Sequence, residues 1–101
     1  MTIAAIIEQL ETEWDENGFF DRVRNGDYHA VRGQAVLTVL RAIKIGDEDV
    51  VPKRLVSLPW YLPSFLSWQS ERIAEKGGDR AAYKRFVTEV EITLENVLGV
   101  P

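Results

Sequence analysis

Between Asp79 and Gly99 the chain carries its cleanest helical pattern, and that stretch limits the available folds more than any other. Tyr83, Phe86, Val87, Val90, Leu94, Val97 and Leu98 recur at the three- and four-residue spacing that lines one side of an α-helix. Asp79 stands at the N-cap position, and Gly99 and Pro101 stand where a helix stops.

The same signature repeats upstream. Ile3, Ile6, Ile7, Leu10 and Trp14 form a second stripe, with Thr2 as its N-cap and Gly18 placed to end it in a left-handed conformation. Phe19 to Arg24 predicts a two-turn helix stopped by Asn25-Gly26. Asp27 is placed to cap a helix from Tyr28 to Ile45, closed by Gly46, whose apolar side comprises Tyr28, Val31, Ala35, Val36, Val39, Leu40 and Ile43. Gly33, inside it, predicts a close crossing with another helix, since glycine there costs ~1 kcal/mol relative to alanine. Asp49 and Pro52 are expected to start a short helix over residues 50–57. A further helix over 60–76 presents Leu62, Phe65, Leu66, Gln69 and Ile73 on one side and ends at Gly77-Gly78. The expected fold is therefore all-α. It is a compact single-domain bundle of four main helices (about 2–17, 27–45, 60–76 and 79–98) with one or two short ones (about 19–25 and 50–57).

Several classes of chemistry fall away. Without cysteine there are no disulfides, thiolate metal sites or thiol nucleophiles, and one histidine, His29, cannot build a multi-histidine centre. The N-terminus reaches Glu8 without a basic segment, so it is not read as a signal peptide, and no apolar run is long enough to span a bilayer. A cytoplasmic protein is the expectation. The net charge is -4, and residues 1–17 hold Glu8, Glu11, Glu13, Asp15 and Glu16 with no basic residue. Those carboxylates either face solvent or meet arginines from elsewhere.

Carboxylates paired on single helix faces, Glu8/Glu11, Glu71/Glu75 and Glu91/Glu95, are the only elements of a metal site; charged pairs at that spacing are usually solvated surface. Two such pairs on facing helices would make a Mg²⁺-dependent all-α nucleotide hydrolase, using Glu8, Glu11, Glu71 and Glu75. No cofactor is otherwise implied. His29 has no partnering motif and reads as a structural residue. A small regulatory DNA-binding protein is another alternative, because Arg22, Arg24, Arg32, Arg41, Lys44, Lys53 and Arg54 cluster in the first half; interleaved acidic residues oppose it.

The densest aromatic stretch is Leu58–Trp68. Leu62, Phe65 and Leu66 fit the core, but Trp60, Tyr61 and Trp68 exceed what one stripe requires. Together with Arg72 they have the composition of an interface hot spot. The expected function is a non-catalytic protein–protein interaction module of adaptor, regulatory or immunity-like type, with Trp60, Tyr61, Trp68 and Arg72 as the partner-binding residues. Self-association as a homodimer is the other form such a surface takes.

Overall fold

A computed structural model describes all residues, 1–101, and holds seven helices and no strand. They are α1 (Ile3–Trp14), α2 (Phe19–Arg24), α3 (Ala30–Arg41), α4 (Lys53–Trp60), α5 (Leu62–Trp68), α6 (Ser70–Glu75) and α7 (Arg80–Leu98). The all-α fold is the one the periodicities predict. None of the helices is long and apolar enough to cross a membrane.

Two of the expected caps are in place: Thr2 Oγ1 accepts the Ala5 N–H at 3.1 Å, and Asp79 Oδ1 accepts that of Ala82 at 2.9 Å. The other two are not formed: Asp49 instead accepts the Gly46 N–H while Pro52 stands at the start of α4, and Asp27 is replaced at the start of α3. Instead of Asp27, His29 caps α3, its Nδ1 accepting the Arg32 N–H at 3.3 Å. This gives the single imidazole a structural task and starts the helix two residues later. At the end of α1, the left-handed residue is Asn17 (φ 65°), not Gly18. Gly18 is required for another reason: a Cβ there would collide with the Thr12 and Glu13 carbonyl oxygens.

Helix α3 lies along α7. The contact point is Gly33, where an added Cβ would sit 3.1 Å from Cε1 of Phe86. This close approach sets the rotation of α3, so that Gly33, Val36, Leu37 and Leu40 point inward. Val31 and Ala35, expected on the apolar side, are instead exposed, Val31 at 75%.

The expected 60–76 helix is broken twice. Pro59 and Pro63 each lack an N–H, so the ladder fails around Tyr61, and α4 hands over to α5 there. The second break is at Gln69. The Leu66 carbonyl accepts the Tyr83 hydroxyl at 2.6 Å and the Gln69 N–H at 3.1 Å. A side chain from α7 has entered the helical ladder, a recognised cause of a kink.

Helix α1 packs on α4, and α5 and α6 pack on α7. Twenty buried apolar side chains form one cluster. The acidic α1 meets arginines at two points: Glu13 is buried and pairs with Arg32 at 3.2 Å, and Glu11 pairs with Arg54 at 3.4 Å.

Candidate interaction surface

The double proline that ends α4 also creates the most unusual surface of the molecule. Leu58 and Leu62 on either side of the hinge are buried and anchor it to the core. Between them the backbone turns, so Trp60, the last residue of α4, and Tyr61, the hinge itself, are carried outward. Trp68 is the last residue of α5, seven positions beyond Tyr61, and lies on the same side of that helix.

The three rings form a row. Trp60 and Tyr61 have centroids 5.4 Å apart with planes inclined at 60°, and Tyr61 and Trp68 are 5.7 Å apart at 80°. Trp60 is 60% exposed, Tyr61 37% and Trp68 67%. Val56, four residues before Trp60, is also exposed and extends the apolar surface. No protein group accepts from the indole N–H of Trp60 or Trp68, or pairs with the Tyr61 hydroxyl. The indole of Trp14, by contrast, donates to the Leu58 carbonyl at 3.1 Å. From Val50 to Ser70 the chain contains no carboxylate.

Arg72, the fourth expected member, is engaged within the fold. Its guanidinium donates to the Arg24 carbonyl at 2.8 Å and so caps the end of α2, a strap between α6 and α2. The guanidinium of Arg24 in turn lies 5.5 Å from the centroid of Phe65. Leu62, Phe65 and Leu66 are buried.

Patterning did not point to a second concavity, an open groove of about 730 Å³. It runs between the end of α3, the segment after it and the C-terminal half of α7, and is lined by Arg41, Lys44, Asp49, Glu89, Ile92 and Asn96 among others. Arg41 and Glu89 approach to 3.9 Å. The sequence signal was Ile92, an apolar residue off the α7 stripe, which is 52% exposed.

The remaining charges are dispersed. No three acidic or imidazole side chains converge to hold a metal ion, so the pairs Glu8/Glu11, Glu71/Glu75 and Glu91/Glu95 do not combine into a centre. Arg22, Arg24, Arg32, Arg41 and Arg54 each face a carboxylate, within 3.2 to 3.9 Å. That pairing dilutes the positive potential a phosphate backbone requires.

No protein-family model matches the chain, and no curated protein or solved structure is significantly similar to it.

Proposed function

We propose that this protein is a non-catalytic interaction module that recognises another protein through the Trp60–Tyr61–Trp68 row. The carrying observation is the three contiguous rings turned outward by a hinge whose flanking leucines are buried. Tryptophan and tyrosine dominate interface hot spots because they offer large contact area at low entropic cost. A contiguous exposed apolar patch on a monomer marks an interaction site more often than a scattering of single residues does. Net charge of -4 and paired arginines favour a protein over a nucleic acid. The cysteine-free chain suits a reducing compartment, and the proposal places the protein in the cytoplasm.

The test compares immobilised wild-type protein with a Trp60→Ala/Trp68→Ala double variant of unchanged thermal stability. Specific partners should be retained by the first and lost by the second, with the variant failing to compete for them in solution. Identical retention by a folded double variant would refute the assignment.

A further inference from the structure

We infer that the open groove between the end of α3 and the C-terminal half of α7 binds a small monoanionic amphiphile, a carboxylate carried on a compact apolar body. The groove shares no residue with the Trp60–Tyr61–Trp68 row, so the inference goes beyond the interaction reading and stands or falls apart from it. Its size, rigidity, charge and apolar lining point to this ligand.

At about 730 Å³ the concavity has the volume of a small-molecule site, for which ~300–1,000 Å³ is usual. Its walls are fixed before any ligand arrives. Ile43 is 2% exposed and anchors the chain after α3 in the core. Beyond it, the Gly46 N–H donates to Asp49 Oδ2 at 2.6 Å, and the Asp49 N–H donates to the Gly46 carbonyl at 3.0 Å. These two bonds close the rim in a tight turn. On the opposite wall Thr93 is buried, its hydroxyl donating to the Glu89 carbonyl at 2.7 Å. A site built in this way loses little conformational entropy on binding.

Charge selects the head group. Arg41, Lys44, Asp49 and Glu89 are the charged side chains of the lining. Asp49 is tied to the rim by the Gly46 N–H, and Glu89 Oε2 faces Arg41 Nη2 at 3.9 Å. That contact is half-exposed on both sides and engages a single terminal nitrogen, so most of the guanidinium donors remain free. Lys44 has no carboxylate within ion-pair range. One carboxylate on the ligand supplies the missing partner, and Arg41, one helical turn earlier, offers it further donors. A second negative charge would meet Glu89 and Asp49 and be repelled.

The apolar lining sets the rest of the molecule. Ile45 and Val97 are half-buried and pack against the core cluster, so the lining continues the core outward. Ile92, in the same lining, is 52% exposed and lies off the α7 stripe. A bare inorganic anion would leave these side chains in water, and a neutral hydrocarbon would leave Lys44 unpaired. A molecule with both parts satisfies both.

The experiment titrates the intact protein with sodium octanoate, read by the isoleucine and valine methyl resonances in a ¹H–¹³C spectrum. Acetate supplies the head group alone, and octanamide supplies the apolar body without the charge. Octanoate should give saturable shifts at Ile45, Ile92 and Val97 with a Kd of about 0.1–5 mM, the range expected for about ten heavy atoms. Octanamide should bind about fivefold more weakly, and acetate should not saturate. Lys44→Gln should weaken octanoate about fivefold while leaving octanamide unchanged. Ile92→Ser should weaken both ligands about fivefold through lost apolar contact. Both side chains are exposed, so neither variant threatens the fold. Absence of saturation by about 20 mM octanoate overturns the inference. So does octanamide binding as tightly as octanoate, or shifts centred on Trp60 and Trp68. Shifts that follow protein concentration alone also overturn it and assign the groove to a second copy. Loss of retained partners by the Trp60→Ala/Trp68→Ala variant concerns the aromatic row and alters none of these outcomes.

Discussion

Seven of the ten aromatic side chains make a continuous array inside the molecule, and the other three make a separate array on its surface. The inner array runs from Trp14 through Phe20, Phe65, Phe19, Phe86 and Tyr28 to Tyr83, with neighbouring centroids from 4.6 to 6.4 Å apart. It draws rings from α1, α2, α5, α7 and the segment before α3, so it ties distant parts of the chain together. The outer array comes entirely from residues 60–68 and ties nothing together. Spacing between rings is similar in both. What differs is where the rings come from, and the fate of the indoles: Trp14 donates to a backbone carbonyl, while the N–H groups of Trp60 and Trp68 have no acceptor in the protein. Aromatic clustering alone therefore does not distinguish a core from an exposed patch; convergence of rings from several elements does.

The largest expected effect tests the inner array. Phe86→Ala removes a ring that touches Phe19, Tyr28 and Tyr83 and faces Gly33, and should cost about 3–5 kcal/mol in urea unfolding. A loss under about 1 kcal/mol would mean that the array is not the stabilising centre.

Tyr83→Phe is the next step down. It deletes the 2.6 Å hydrogen bond to Leu66 while keeping the ring, with an expected cost near 1 kcal/mol, or a fall in Tm of about 4–8 °C. The same residue gives a pH signature. Burial, with a smaller contribution from neighbouring Tyr28, pushes the Tyr83 phenol well above the usual tyrosine range. An unfolded chain would lose that proton from about pH 10 while the folded one retains it. Stability from this group is thus complete below about pH 10 and declines as pH rises further. The Tyr83→Phe variant should show a shallower alkaline decline in a pH series of thermal melts.

Arg72→Ala sharpens the boundary between the arrays. It removes the strap to the Arg24 carbonyl and should cost about 0.5–1 kcal/mol without altering partner binding. A selective loss of binding would return Arg72 to the recognition surface.

The smallest stability effect belongs to the outer row. Trp60→Ala and Trp68→Ala should each change unfolding free energy by no more than about 0.5 kcal/mol, while abolishing recognition. Iodide should quench two of the three indoles in the wild type and only Trp14's protected emission should remain in the double variant. A loss of several kcal/mol would place those rings in the stabilising framework.

Local patterning went far with the helices and less far with their faces. Asp79 with its stripe located α7 as Arg80–Leu98, and Thr2 located the start of α1, because capping and periodicity are local properties. Gly33 announced a close crossing before any partner was known. Patterning failed at Val31 and Ala35, whose exposure depends on how Phe86 rotates α3, and at 60–76, where Tyr83 from α7 interrupts the ladder. Of the expected site, the aromatic surplus was visible in composition. Its division was not, and Arg72, grouped with it by composition and proximity in sequence, bonds the end of α2. The groove near Ile92 lies between elements far apart in sequence and left only one off-stripe apolar residue as a trace.

By itself the sequence determined the class, the caps at Thr2 and Asp79, the stripes of α1 and α7 and the excess of aromatic rings, since each rests on interactions within a few residues. Only the tertiary structure decided which rings are joined from several helices and which are turned out by the Pro59–Pro63 hinge. That choice depends on surfaces brought together across the whole chain: Trp14 meets Leu58, Phe20 and Phe65 from other helices, whereas the only ring that Trp60 and Trp68 pack against is the neighbouring Tyr61.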